Sequence, residues 1–152
     1  LLPCSGRRDN DSTVAAEAYG SMVANCVNQA IKDGRYNENI DSYFVSGKHG
    51  LIPPEHDIGE YDHELVEDDK KWLMTEIGDF LEEGDYEVMF SFLDGMYQQV
   101  VNEVAYNQQT TWEIDTALLR PCARAASMGG VRVLKQLIRE EIDVASAAAT
   151  TW

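Results

Sequence analysis

The chain has 152 residues, of which 44% are hydrophobic and 26% are charged. These values suit one globular domain with one sizeable core. No apolar stretch approaches the roughly 20 residues that a membrane-spanning helix needs, and the start of the chain lacks the basic residues of a signal peptide. The opening Leu1-Leu2-Pro3-Cys4 reads as the end of a first strand that begins upstream of Leu1.

The charge balance is strongly acidic. Acidic residues number 27 and basic residues 12, for a formal net charge of −15 at pH 7, and the acids are spread along the chain. Two interpretations fit this composition: a halophilic protein kept soluble in high salt, or an ordinary acidic cytoplasmic protein. Both argue against broad contact with a phosphate backbone, although a small basic cleft is compatible with either one.

The cysteine and histidine positions argue against a disulfide framework and against a metal site. The cysteines are far apart, at Cys4, Cys26 and Cys122. A sparse, odd set of cysteines predicts reduced thiols and a cytoplasmic location. The histidines recur at His49, His56 and His63. Zinc ligands usually lie roughly two to five residues apart, and Pro53-Pro54 breaks any helix that would align these three, so we predict no metal and no cofactor.

The first half of the chain predicts a strand, a helix and a second strand. A polar loop at 5–10 follows the first strand, and a side chain in the range 11–13 caps the helix. Apolar residues then recur at intervals of three and four up to Gly34, which predicts one continuous helix. Its apolar stripe comprises Val14, Ala18, Met22, Cys26 and Ala30. The second strand spans 42–46.

The second half predicts two further helices around another strand, and then a last helix. The first of these helices follows the acidic segment 62–69, and its apolar face comprises Trp72, Leu73, Ile77, Phe80 and Leu81. The apolar run at 86–93 is typical of a buried parallel strand. The next helix carries Met96, Tyr97, Val100, Val101 and Val104, and the last carries Val131, Leu134, Leu137, Ile138 and Ile142. A short strand is predicted near 111–116, and 118–121 reads as a turn into a loop.

Alternating strands and helices predict one three-layer α/β/α domain over residues 1–152, with a mainly parallel sheet of about four strands and a frayed tail at 145–152. The carboxyl ends of parallel strands meet at one edge of such a sheet, where ligands bind. We therefore expect three loops to converge there: 4–10, 47–62 and the segment around 94–97.

The strongest candidate site follows the second strand, where Ser46 and Gly47 are succeeded by Lys48, His49 and Gly50. A cation and an imidazole at the end of a strand can hold an anion and transfer a proton, so we assign catalytic roles to Lys48 and His49. We assign Ser46, Gly47 and Gly50 to ligand binding. The alternative is a solvated loop in which the glycines only set a turn.

The loop after the first strand contributes a second group of candidates. Cys4 is either a catalytic nucleophile or a buried residue at the end of the strand. Ser5 and Arg7 follow it and would bind an anion at the entrance to the first helix. The alternative for Arg7 is a solvated surface arginine.

Two further positions complete the predicted site. Asp62, with Tyr61 beside it, would orient His49 or a ligand, and a capped turn is the alternative. Tyr97 would line the site from the third loop. The chain has no Walker loop, no Rossmann glycine pattern, no H-E-x-x-H and no G-x-S-x-G motif, so the usual signatures of nucleotide hydrolases and zinc proteases are missing.

Ser46 to Pro54, followed by Glu60-Tyr61-Asp62, forms a distinctive motif. It resembles an uncharacterised family of small microbial and phage proteins, a domain of unknown function whose pattern is S-A-K-H-G-L-hydrophobic-x-P and then P-Y-D. Pro3-Cys4-Ser5 is similar to that family's first-strand loop. Gly47 stands where the family has Ala, and Arg7 or Arg8 stands where it has Lys, a change that preserves anion binding.

More distant resemblances suggest a class of function. The Pro-Cys-Ser loop is similar to that of the archaeosine synthase catalytic domain, which modifies a base in transfer RNA. Ser46-Gly47, Gly50-Leu51 and Pro54 match the spacing of a turn in the peroxide-stress DNA-binding family, and the overall layout is similar to the uracil-DNA glycosylase superfamily. The resemblance implies an enzyme that acts on a nucleobase, nucleoside or nucleic acid, and the composition predicts no membrane partner. A non-catalytic module that binds a nucleotide, a nucleic acid or a protein is the alternative.

Overall fold

The computed structural model describes residues 1–4, 12–59, 66–84, 89–93, 95–108, 119–121, 134–141, 143 and 146, and for 105–108 and 119–121 it describes the backbone. The strands in these ranges are β1 (Leu2–Pro3), β2 (Phe44–Ser46), β3 (Gly50–Ile52), β4 (Met89–Ser91) and β5 (Leu119–Pro121). The helices are α1 (Ala15–Ala18), α2 (Met22–Lys32), α3 (Lys70–Glu83) and α4 (Gly95–Gln108). Residues 134–138 are also helical.

A mixed three-stranded sheet holds β2 between β1 and β3. β1 runs parallel to β2, with Leu2 opposite Phe44. β3 runs antiparallel to β2, with Phe44 opposite Ile52 and Ser46 opposite Gly50. β4 and β5 form a separate parallel pair.

Leu1 connects the two sheets. Its backbone nitrogen donates a hydrogen bond to the carbonyl oxygen of Phe90 at 2.5 Å, and its carbonyl oxygen accepts one from the Phe92 nitrogen at 2.9 Å. A residue in a parallel ladder bonds in this way to the two residues that flank its partner. β1 therefore lies between β2 and β4.

Neighbouring residues of β2, β3 and β4 belong to different apolar clusters. One cluster comprises Leu2, Ala15, Tyr19, Val23, Val27, Phe44, Ile52 and Ile138, among others. The other comprises Val45, Leu73, Ile77, Leu81, Met89, Val100 and Val104, among others. Because side chains alternate between the two faces of a strand, α1 and α2 pack on one face and α3 and α4 on the other.

The predicted single helix between Val14 and Gly34 is wrong, because the chain forms two helices there. Tyr19, at the end of α1, has an extended backbone with φ −81° and ψ 136°. Ser21 then starts α2, and its Oγ accepts a hydrogen bond from the Ala24 nitrogen at 3.2 Å. This local cap outweighs the continuity of the apolar pattern. It also changes the phase of the buried face, so that Met22 is 49% exposed.

Two short strands occupy segments that the sequence pattern assigns to loops. β3 lies inside the predicted loop 47–62, and β5 lies in the predicted turn 118–121. Each has only three residues, which is too short for alternation to be recognised. The α/β class is confirmed, and so are α3, α4 and the burial of Leu134, Leu137 and Ile138. The predicted strand near 111–116 lies outside the described residues.

The helices that the structure describes include none that is both long enough and apolar enough to cross a membrane.

Replacing Ser21 by Ala should lower the free energy of unfolding by about 1 kcal/mol, because the Ala24 amide at the start of α2 loses its acceptor. Urea unfolding of the wild type, Ser21→Ala and Ser21→Asp measures this effect. The aspartate variant supplies a carboxylate acceptor and should keep most of the stability. An alanine variant as stable as the wild type would show that Ser21 does not cap this helix.

Candidate functional site

The candidate site lies where β1, β2 and β4 reach their carboxyl ends. Pro3 is opposite Val45 in the parallel pair, so the next residues along the two strands are Cys4 and Ser46. β1 lies between β2 and β4, and open α/β sheets bind ligands in the crevice outside the carboxyl ends of such strands. The structure therefore places Cys4 and Ser46 at the edge where the sequence predicts a site.

Cys4 meets Tyr97 at this edge. The Cys4 thiol donates a hydrogen bond to the Tyr97 hydroxyl, with Sγ and Oη 3.3 Å apart. A second bond ties β4 to the same helix, because the buried Ser91 hydroxyl donates to Gln98 Oε1 at 2.7 Å. Tyr97 is thus held over the end of β1 by the start of α4. The predicted proximity of Cys4 and Tyr97 is present in the structure.

Lys48 and His49 occupy the turn of a β-hairpin. Ser46 is buried, and its Oγ accepts hydrogen bonds from the backbone nitrogens of Lys48 and His49, both at 3.2 Å. Gly50 closes the turn with a φ of +75°, a conformation that costs a residue with a Cβ roughly 1–2 kcal/mol. The Ser-Gly-x-x-Gly spacing of residues 46–50 therefore specifies this turn.

The hairpin gives a structural role to several residues that the sequence assigns to ligand binding. Gly47 and Gly50 are buried, whereas the side chains of Lys48 and His49 are exposed. The principal contacts of the Ser46 hydroxyl are hydrogen bonds to the backbone of the turn, not to a ligand. The turn thus presents Lys48 and His49 to solvent, and the other three residues hold it in shape.

The surroundings of His49 favour its neutral form. Partial burial is the largest cause that lowers the pKa of His49 below its ordinary value of 6.5, and the charges of Lys48 and His56 lower it further. A hydrogen bond to the backbone of Ile58 opposes these effects. A neutral imidazole that donates through one ring nitrogen presents the other as an acceptor. His49 therefore has the protonation state of a general base at neutral pH.

Trp72 and Glu76 flank this turn and were not assigned to the site from the sequence. A Cβ placed on Gly50 would lie 3.6 Å from Trp72 Cη2 and 3.5 Å from Glu76 Oε2. Trp72 is 41% exposed, so its assignment to the apolar face of the helix is wrong, whereas Leu73 and Ile77 are fully buried. The four-residue spacing of Trp72 and Glu76 places them on one side of α3, next to the Leu73–Ile77 stripe. In the sequence, the signal for Trp72 and Glu76 is that both lie beside the Leu73–Ile77 stripe and not within it.

The remaining candidates lie outside the described residues: Ser5, Arg7, Tyr61 and Asp62. Their distances from Cys4 and His49 stay predictions. Among the residues that the structure does describe, no group of three or more His, Cys, Asp or Glu side chains is arranged to hold a metal ion.

No family model, no curated protein and no solved structure matches this chain. The resemblances drawn from the central motif therefore stay predictions.

Replacing Ser46 by Ala should lower the free energy of unfolding by about 1–3 kcal/mol, because the amides of Lys48 and His49 lose a buried acceptor. Urea unfolding measures the loss. Ser46→Thr keeps the hydroxyl and serves as the matched control. If the alanine variant matched the wild type, the hydroxyl would not be organising the hairpin.

The depressed pKa of His49 predicts a pH dependence of stability with a defined sign. Between the folded-state pKa and 6.5, the unfolded chain binds more protons at His49 than the folded chain does. The free energy of unfolding should therefore fall as the pH drops through this window, and His49→Gln should reduce that dependence. Unfolding curves at several pH values test the difference between the variant and the wild type. Titration of His49 by NMR at or above 6.5 would contradict this sign.

Proposed function

We propose that this protein binds a nucleobase or nucleoside at the carboxyl edge of its sheet and acts on it as an enzyme. The observation that carries the proposal is the contact between α3 and the hairpin, where the exposed Trp72 lies against Gly50, one residue after His49. An exposed indole beside a cation and an imidazole offers the surface that a planar heterocycle needs. The proposal also agrees with the class of function that the central motif suggests.

Stacking on Trp72 would supply affinity. A base stacked on an aromatic side chain contributes about 1–3 kcal/mol, and every base has a face that can stack. Glu76 lies on the same side of the turn. Its carboxylate accepts hydrogen bonds, and bases present N–H donors at their edges. Trp72 and Glu76 can therefore contact the face and the edge of one ring system.

The hairpin would supply the chemistry. Lys48 is exposed and carries a positive charge next to His49, so it can bind a carbonyl oxygen or a phosphate of the ligand. His49 is the proposed general base, because its depressed pKa keeps the imidazole neutral at pH 7. Cys4 and Tyr97, joined by their hydrogen bond at the end of β1, form a polar wall of the same edge.

The net charge restricts the ligand. At −15 the protein repels the many phosphates of a long nucleic acid, and that repulsion is strongest at low salt. A free base, a nucleoside or a mononucleotide carries few charges or none. The proposal therefore favours small ligands over long duplexes, with a short single strand as the largest form.

A non-catalytic binding module is the second candidate, and the Cys4–Tyr97 contact is compatible with it. The Cys4 thiol is hydrogen-bonded to the Tyr97 hydroxyl, an arrangement that suits a polar wall for binding as well as it suits a nucleophile. In this alternative the same surface binds the ligand and Lys48 is an electrostatic anchor. Turnover of the bound ligand separates the two candidates.

The proposal also covers the detailed architecture of the fold and the cellular compartment. We infer a three-layer α/β/α domain with a mainly parallel sheet of about four strands, and its supports are the two apolar clusters and the bonds of Leu1 to Phe90 and Phe92. Cys4 and Cys26, the cysteines that the structure describes, carry thiols rather than a disulfide, which supports a reducing compartment such as the cytoplasm. The acidic composition supports a halophilic source.

A ligand screen tests the site. Free bases, nucleosides, mononucleotides and short single strands of DNA and RNA are added at low and high salt, and the melting temperature is measured. A ligand should stabilise the wild type, and its affinity should fall by about 1–3 kcal/mol in Trp72→Leu. Lys48→Ala and His49→Gln test the hairpin, and Lys71→Ala is the control with a matched loss of charge on α3.

If Lys48→Ala and Lys71→Ala weakened ligand binding equally, the effect would come from net charge alone, which would contradict the proposed site. A bound ligand that is converted, with conversion lost in His49→Gln, supports the enzyme. A bound ligand that is never converted supports the binding module. Absence of stabilisation by every probe, in variants that fold as well as the wild type, would overturn both candidates.

A further inference from the structure

A cavity of about 500 Å³ lies at the other edge of the sheet from the Lys48–His49 turn. Tyr43, which precedes β2, and Pro53, which follows β3, both line it. Because β2 and β3 are antiparallel, these two positions are at the open end of the hairpin. The cavity is therefore distinct from the site proposed above, and its volume is in the range of roughly 300–1,000 Å³ that suits a small molecule.

Two tyrosine rings are fixed in the wall of this cavity. The Tyr36 hydroxyl donates a hydrogen bond to Ser42 Oγ at 2.6 Å. The Tyr43 ring packs edge-on against Phe80, with the ring centroids 4.8 Å apart. Ile31 and Ile40 add apolar surface, and Ile31 is 44% exposed. The wall is therefore a preformed aromatic and aliphatic surface that is open to solvent at one side.

The charges at this cavity are negative. Among the described residues that line it, Asp41 and Glu55 carry the charges. Burial raises the pKa of Tyr36, and both carboxylates raise it further, while the bond to Ser42 lowers it. Asp41 and Glu55 thus approach the same phenol from two separate segments. Gly34, two residues after the end of α2, also lines the cavity, and the carboxyl end of a helix carries a partial negative charge.

We propose that this cavity binds a small organic cation, an ammonium or guanidinium group carried on an apolar stem. Aromatic faces attract such cations, two carboxylates neutralise the charge, and the isoleucines and prolines cover the stem. An anion would meet Asp41 and Glu55 and is excluded by them. The inference does not rest on the proposed function, because it concerns the opposite edge of the sheet.

Paired probes of equal shape test the charge requirement. Benzylammonium is compared with benzyl alcohol, and butylguanidinium with butanol, by following backbone amide shifts in NMR titrations of the whole chain. The cations should shift the amides of residues 31–43 and of Glu55 and bind at least about threefold more tightly than their neutral partners. If benzyl alcohol and butanol bound as well as the cations, the proposal would be overturned and the cavity would be only an apolar pocket.

Two variants test the carboxylates. Asp41→Asn and Glu55→Gln should each weaken binding of benzylammonium by about 2- to 5-fold, because each removes one exposed ion-pair partner. Both side chains are exposed, so the fold should be retained, and the amide spectrum of each variant verifies this. Glu82→Gln on α3 removes the same charge away from the cavity and should leave affinity unchanged. Equal losses in all three variants, or shifts centred on other residues, would overturn the proposed site.

Discussion

The position of β1 between β2 and β4 is the constraint on which the rest of the structure depends. Leu1 bonds to Phe90 and Phe92, while Leu2 is in register with Phe44. The carboxyl ends of three strands are thereby aligned at one edge, and Cys4 comes to lie against Tyr97, 93 residues away. Hydrogen bonds of a parallel ladder cannot form until helices cross over and return the chain, so this edge is a product of the whole fold.

A short hairpin gives that edge its chemical character. Ser46 is buried and binds the two amides of the turn, so Lys48 and His49 are held on a rigid base while their side chains face solvent. Packing of α3 against Gly50 then places the exposed indole of Trp72 next to this turn. The glycine is required for its positive φ, whereas a Cβ there would make ordinary van der Waals contacts with Trp72 and Glu76.

The two ends of the β2–β3 hairpin differ in charge. The turn carries Lys48 and the neutral His49, whereas the open end faces the cavity with Asp41 and Glu55. The hairpin is only a few residues long, so the two environments are close, yet the buried strands Phe44–Ser46 and Gly50–Ile52 separate them. One small element thus has surfaces of opposite polarity at its two ends, and the two proposals assign different classes of ligand to them.

Local patterns were sufficient for the α/β class and for α3 and α4, because helical periodicity depends on neighbouring residues. They offered the Ser46–Gly50 turn only as the alternative to a ligand-binding loop. The sequence did not predict β3, the division between α1 and α2, or the exposure of Trp72. β3 forms because Gly50 pairs with Ser46 across the turn. Trp72 is exposed because α3 buries the adjacent row of side chains, which includes Leu73. The tertiary structure decided these features, since pairing and burial depend on residues that are distant in the sequence.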